Sequence, residues 1–117
     1  MIQAYLFSMI FAPVSILFVE FLERRTEMAI VKNINGTSDN LPVGYDSWKH
    51  YWESKKHRPF SYCSCTSCYN LADVGGHVKR VYGSGEWYIV PICYRHNNLS
   101  SSYTYEVSDS DLLRVNA

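Results

Sequence analysis

The stretch that decides the fold is CSCTSCYNLADVGGHVKRVYGSGEWYIVPICYRH, residues 63–96, which holds all four cysteines of the chain. Cys65 and Cys68 form a C-x2-C pair, and Cys93 and His96 form a C-x2-H pair. Zn²⁺ binds four soft or borderline ligands at tetrahedral corners, and one tight turn can supply two ligands that lie two residues apart. The spacing therefore predicts a structural zinc site made by Cys65, Cys68, Cys93 and His96.

The role of Cys63 stays open at the level of sequence. It can replace Cys65, which gives a C-x4-C loop with Cys68, or it can be a spare thiol. Two disulfides, or free buried thiols, would also account for four cysteines in one short segment. A disulfide framework belongs to secreted proteins, and the chain carries no clear signal for secretion.

The segment between the two ligand pairs predicts a β-hairpin. Residues 74–82 (VGGHVKRVY) form the first strand, residues 83–85 (GSG) the turn, and residues 86–92 (EWYIVPI), rich in aromatic and β-branched side chains, the second strand. The order is zinc knuckle, hairpin, and a ligand pair at the start of a short helix, which resembles a treble-clef zinc finger. A bound metal commonly supplements the core of so small a domain.

Residues 63–101 resemble the HNH, or ββα-metal, family of nucleases and their degenerate relatives, through the stretches CTSCYNLADVGGHV and YIVPICYRHNNLS. The resemblance implies a small α+β, treble-clef or HNH-like zinc domain. It also implies an alternative function, a metal-dependent endonuclease that hydrolyses phosphodiester bonds with Mg²⁺ or Mn²⁺. In that alternative His77 is the general base and Asn97 binds the catalytic metal.

The chain departs from the HNH pattern in several ways, which include the short helical length after Asn97. No asparagine between Gly83 and Ile92 corresponds to the one that orients the histidine, the hairpin loop is short, and no acidic residue adjoins His77. His77 is therefore open to three interpretations: a general base, an alternate or supporting zinc ligand, or a hydrogen-bonded structural histidine.

A short helix is predicted ahead of the cysteines, beginning at Asp46 or Ser47 and ending near Lys56. Its aromatic residues share one face because their spacing is i, i+3 and i+4: Trp48, Tyr51 and Trp52. This face is either a stacking platform for nucleic-acid bases or a hydrophobic face packed on the core, and the second interpretation is favoured.

The middle of the chain is basic although the chain as a whole has 11 Lys and Arg against 11 Asp and Glu. A zero net charge excludes a wholly basic nucleic-acid-binding protein but not a local basic patch. Residues 46–96 carry seven basic and four acidic side chains. We expect a zinc-binding module that contacts DNA or RNA, or another interaction partner, through Lys55, Lys56, Arg58, Lys79, Arg80 and Arg95.

Residues 1–27 form an apolar leader with no charge before Glu20. As a helix, residues 1–19 would span about 28 Å, close to the thickness of a hydrocarbon core. A membrane anchor through residues 1–19, a packed helix and a non-native extension ahead of Met28 all remain open. Arg24 and Arg25 favour a cytoplasmic carboxy-terminal part. Residues 28–44 are predicted to be a linker and residues 45–117 the zinc-binding domain.

Overall fold

The computed structural model describes residues 27–36, 40–83 and 85–115. The predicted apolar helix and the membrane association of residues 1–19 therefore lie outside the described residues. Within the described ranges, no helix has the length and apolar character needed to cross a bilayer. The described part is a mixed fold of one antiparallel sheet and few helices.

The sheet has five strands in the order β4-β1-β2-β3-β5. Along the chain the elements are β1 (Met28–Asn33), α1 (Trp48–Lys56), β2 (Val74–Arg80), β3 (Trp87–Ile92), α2 (Tyr94–Asn97), β4 (Thr104–Ser108), a 3-10 helix (Asp109–Asp111) and β5 (Leu113–Arg114). All neighbouring strands are antiparallel, and β2 and β3 are joined as the predicted hairpin.

Strand β1 occupies the first six residues of the segment that was predicted to be a linker. Its burial alternates, with Ala29, Val31 and Asn33 buried and the residues between them more exposed. Alternation with a period of two is the pattern of a strand, because successive side chains point to opposite faces of a sheet. The linker prediction is therefore wrong for Met28–Asn33, and β1 lies between β4 and β2 in the sheet.

The two faces of the sheet are covered differently. The inner face carries a hydrophobic cluster that includes Val31, Val78, Val90 and Val107, and this cluster also contains Cys63 and Cys93. The outer face carries the alternate side chains, and only part of it lies beneath α1.

Helix α1 packs on the outer face through the predicted aromatic residues. Trp48, Tyr51 and Trp52 are buried in a cluster with Ile89 of β3, so the hydrophobic-face interpretation is confirmed. The helix begins at Trp48 because the Ser47 side chain accepts a hydrogen bond from the His50 backbone N–H at 3.0 Å.

Two adjacent glycines at the start of β2 allow close packing on both faces. A Cβ at Gly75 would lie 3.0 Å from the backbone carbonyl carbon of Trp48, and a Cβ at Gly76 would collide with the Ile92 side chain. The pair thus accommodates α1 on one face and the core on the other.

Candidate metal centre

Three thiols and one imidazole converge at the edge of the inner-face cluster. The ligand atoms of Cys63, Cys68, Cys93 and His96 all lie within 4.8 Å of one another. The sulfur atoms of Cys68 and Cys93 are 3.9 Å apart. His96 Nδ1 lies 3.3 Å from Cys93 Sγ and 3.7 Å from Cys63 Sγ. A tetrahedral zinc ion would hold two sulfurs about 3.8 Å apart and a sulfur and a nitrogen about 3.6 Å apart. The cluster can therefore hold a metal ion.

The ligand set is closed and sheltered. Cys63, Cys93 and His96 are buried, and Cys68 is half-buried. Four protein ligands fill a tetrahedral shell, whereas catalytic zinc sites keep one position for water or substrate. A metal ion held by all four residues would therefore have no open position.

A short loop presents Cys63 and Cys68. The Cys63 backbone N–H donates to the Asn70 carbonyl at 2.8 Å, and an isolated antiparallel bridge joins Tyr62 to Leu71, which closes the base of the loop. At its tip the Cys68 backbone N–H donates to the Cys65 carbonyl at 3.1 Å, and Ser67 has a left-handed φ of 64°. These bonds close the knuckle and turn its chain back toward the cluster.

Cys93 and His96 are brought together by α2. Cys93 is the N-cap residue, and the Asn97 backbone N–H donates to the Cys93 carbonyl at 2.9 Å, so one helical turn places His96 beside it. The preceding strand is tied to the knuckle, because the Ser64 backbone N–H donates to the Pro91 carbonyl at 2.8 Å.

A buried asparagine on β1 holds the end of this ligand helix. The Asn33 amide donates to the carbonyls of His96 at 2.7 Å and Leu99 at 2.9 Å. The Tyr105 hydroxyl in turn donates to Asn33 Oδ1 at 2.5 Å. Sequence reasoning missed Asn33. Asn33 could have been found from its position, because it is the third inward-facing residue, after Ala29 and Val31, of a segment with a period of two.

The structure selects Cys63 where the sequence spacing favoured Cys65. Cys65 is outside the group of converging ligand atoms. Its backbone forms an isolated bridge with Val107 of β4, and its Sγ contacts the Thr66 carbonyl at 3.7 Å. The candidate ligands from this loop are therefore Cys63 and Cys68, the C-x4-C pair.

The surroundings of two of these thiols shift their pKa values in opposite directions. Burial raises the pKa of the Cys63 thiol. Burial also opposes ionisation of Cys93, but hydrogen bonds from the backbone and ring of His96 and from Asn70 outweigh it and lower the pKa of this thiol. A metal ion that binds all four ligands must therefore displace a proton from Cys63.

His77 and Asn97 are neighbours, as the nuclease alternative requires. Both line two adjoining cavities of about 220 and 410 Å³. His77 is 8% exposed, and its ring meets the Trp48 ring edge-on at a centroid distance of 4.5 Å. Burial lowers the pKa of His77. Its ring nitrogens have no hydrogen-bond partner among the described residues, and it is not among the four converging ligands.

The predicted nucleic-acid residues lie on several elements. Lys55, Lys56 and Arg58 lie at the carboxyl end of α1, Lys79 and Arg80 on β2, and Arg95 on α2. Three of the six are bound to the 3-10 helix: Arg58 pairs with Asp111 at 2.6 Å, Arg80 pairs with Asp109 at 2.7 Å, and Lys56 donates to the Ser110 carbonyl at 3.0 Å.

The remaining three predicted basic side chains form no ion pair with the acidic side chains of the described residues. The Lys55 ammonium lies over the Tyr51 ring, 5.7 Å from its centroid. Among the residues that the structure describes, neither Lys79 nor Arg95 has an acidic partner within ion-pair distance.

Comparison of the chain with protein-family models, with curated proteins and with solved structures finds no significant match. Its function is therefore inferred from the geometry of the chain itself.

Proposed function

We propose that this chain is a small nucleic-acid-binding domain held together by one structural zinc ion. The proposal of a zinc ion rests on one observation: three sulfur atoms and one imidazole nitrogen lie within 4.8 Å of one another. Thiolate and imidazole ligands in tetrahedral geometry favour zinc over the hard, oxygen-seeking cations. The order of knuckle, hairpin and ligand helix supports a treble-clef or HNH-like description of this part.

The metal would supplement a core that is divided by the sheet. One buried cluster lies on the inner face and includes the ligands Cys63 and Cys93, while a second lies under α1. A zinc ion that crosslinks the knuckle to α2 would join the loop of residues 61–72 to the end of β3. Small domains commonly gain much of their folding free energy in this way.

Binding to nucleic acid is supported by the distribution of charge. The chain is neutral overall, yet Lys55, Lys79 and Arg95 carry charges that the acids of the described part do not neutralise. Unneutralised cations bind phosphates by releasing condensed counterions, which makes the affinity depend steeply on salt.

Two measurements test this proposal. Native mass spectrometry of the purified chain should find one zinc ion per chain. Fluorescence anisotropy with labelled DNA and RNA should show affinity that falls as salt rises, with a log–log slope of about −0.7 to −0.9 for each phosphate contact. A chain free of metal, or binding that is absent or insensitive to salt, would overturn the corresponding part of the proposal.

A second function, phosphodiester hydrolysis, is favoured by one observation: His77 and Asn97 share the lining of two adjoining cavities. Because burial lowers the pKa of His77, its ring is neutral near pH 7 and can accept a proton from an attacking water. A divalent cation bound beside Asn97 would stabilise the departing oxygen.

Plasmid nicking tests this second function. The zinc-loaded chain would nick supercoiled DNA with Mg²⁺ or Mn²⁺ and lose that activity in His77→Ala. The matched control is His50→Ala, because His50 is exposed on α1. If His77→Ala still cuts DNA, His77 is not the general base. If the unmodified chain does not cut DNA, the proposed nuclease function is wrong.

A further inference from the structure

One row of side chains crosses the part of the outer face that does not lie beneath α1. In the strand register Thr104 of β4 lies opposite Lys32 of β1, Lys32 lies opposite Lys79 of β2, and Lys79 lies opposite Trp87 of β3. All four belong to the outer face, because the residues that alternate with them along each strand carry the inner-face cluster. We call Lys32, Lys79 and Trp87 the lysine–tryptophan row.

The two lysines of this row are unfavourable neighbours in the free protein. Like charges directly opposite on adjacent strands repel each other, and residues in such pairs have Cβ atoms about 5 Å apart. No acid in the described part of the chain lies within ion-pair distance of either lysine. Glu106, an acid on this face, lies in the next row opposite Ile30. The register thus creates a concentrated positive charge that an external anion would relieve.

A polar recess adjoins the two lysines. Lys32, Lys79, Asn35 and Ser101 help to line a cavity of about 300 Å³ at the end of β1. It lies next to the cavity that contains His77, because both are lined by Asn33, Ile34 and Asn35. Amide and hydroxyl donors beside two ammonium groups are suited to a phosphate.

The tryptophan of the row is available for stacking. Trp87 is 41% exposed although it lies within the sheet, whereas Ile89, two residues further along β3, is buried beneath α1. Helix α1 therefore leaves Trp87 uncovered. An indole ring offers a nucleobase a flat stacking surface, and this interaction tolerates any base.

We propose that the lysine–tryptophan row binds single-stranded nucleic acid, with Lys32 and Lys79 contacting the phosphates and Trp87 stacking on a base. This inference rests on the nucleic-acid-binding function proposed above and identifies its surface and substrate class. A single strand is favoured over a duplex because stacking on Trp87 requires an exposed base face, which a paired and stacked base does not offer.

This surface differs from the set of basic residues that the sequence predicted to contact nucleic acid. Lys79 is common to both, but Lys32 lies in the segment that was predicted to be a linker. Arg58, Arg80 and Lys56 are held by the 3-10 helix and lie outside this surface.

The test uses the full, zinc-loaded chain and a labelled oligothymidylate of about 15 nucleotides, compared with a duplex of equal length. We expect single strands to bind at least about tenfold more tightly, with quenching of tryptophan fluorescence. Trp87→Leu should weaken binding about tenfold and abolish most of the quenching. Lys32→Gln and Lys79→Gln should each reduce the slope of log affinity against log salt by about 0.7.

Matched control variants alter the same residue types elsewhere on the surface. Lys49→Gln removes an exposed lysine from α1, and Tyr69→Leu removes an exposed aromatic ring from the knuckle. Both should change the affinity by less than about twofold. Zinc content and the circular-dichroism spectrum of every variant show whether it is folded.

The outcomes separate the two proposals. If the unmodified chain binds no nucleic acid in a salt-dependent way, both fall. If the chain binds nucleic acid but none of the three substitutions in the row changes its affinity, or if it prefers the duplex, only this inference is wrong. If inorganic polyphosphate competes as strongly as the oligonucleotide does, without changing the tryptophan fluorescence, the surface binds polyanions in general and not single-stranded nucleic acid. This inference would then be overturned.

Discussion

Asn33 of β1 donates its side-chain amide to the main-chain carbonyl of His96 at 2.7 Å, across 63 residues of sequence. The first described strand therefore supports the last ligand of the candidate metal centre. Carbonyls at the end of a helix lack partners within it. Here the His96 carbonyl accepts from the buried Asn33 amide in addition to the Leu99 backbone N–H at 3.2 Å. The Tyr105 hydroxyl on β4 completes the arrangement by donating to Asn33 Oδ1.

Replacing Asn33 should therefore weaken both the fold and the metal site. Asn33→Ala removes the amide donor from the His96 and Leu99 carbonyls and the acceptor from the Tyr105 hydroxyl, although the His96 carbonyl keeps its bond from the Leu99 backbone N–H at 3.2 Å. Leaving buried polar groups unpaired costs about 1–3 kcal/mol for each group. We expect a lower Tm and faster loss of zinc to a chelator, measured with a colorimetric zinc indicator.

Asn35→Ala is the matched control for this substitution. Asn35 also donates toward the Leu99 carbonyl, but it is exposed and the distance is 3.5 Å. Its Tm should change little. An Asn33→Ala protein that keeps its Tm and its rate of zinc loss would show that this bond does not support the metal centre.

Serine substitutions distinguish the two candidate cysteine ligands. Cys63→Ser removes a ligand of the closed shell, so we expect zinc affinity to fall by orders of magnitude and the domain to unfold or lose cooperativity. Cys65→Ser should retain one zinc ion per chain, because its Sγ lies outside the cluster. Native mass spectrometry measures both. The reverse result would restore Cys65 as the ligand.

Gly76→Ala should destabilise the protein by steric conflict. The added Cβ would collide with the Ile92 side chain and lie 3.1 Å from Asn97 Oδ1. Overpacking of this kind typically costs about 1–3 kcal/mol, seen as a lower denaturant midpoint. Ile92→Val removes the nearest colliding atom, so the double variant should be more stable than additivity predicts. Strictly additive effects would contradict the proposed collision.

His77 should make stability depend on pH below 6.5. Burial lowers its pKa from the usual value of 6.5, so below that value the unfolded chain binds a proton that the folded chain does not yet accept. Folding stability is then complete above pH 6.5 and decreases as pH falls toward the folded-state pKa, by at most about 1.4 kcal/mol per pH unit.

Comparison with His77→Gln isolates this effect from acid release of the metal. We expect the difference in unfolding free energy between the two proteins to shift in favour of the variant as pH falls from 7 to 5. Chemical denaturation at each pH measures it. A difference that stays constant over this range would mean that His77 has the same pKa in the folded and unfolded chains.

Helix α1, the β2–β3 hairpin and the α2 ligand turn could be predicted from the sequence because each is encoded by neighbouring residues. Trp48, Tyr51 and Trp52 share a face through helical spacing alone, and the C-x2-H pair needs only one turn of helix. Strand β1 was missed because Met28, Ile30 and Val31 place apolar side chains on both faces, which obscures the alternation.

The sequence by itself therefore determined that cysteines and a histidine able to hold a metal ion are assembled around a hairpin, since ligand spacing and strand periodicity are local properties. Only the tertiary structure decided that Cys63, and not Cys65, completes that site. The tertiary structure brings Cys63 to Cys93 and His96, whereas the Cys65 backbone pairs with Val107 of β4, and both contacts join segments that are far apart in the sequence. It likewise decided that Lys32 faces Lys79, because strand register arises from pairing between distant segments and not from the residues within either one.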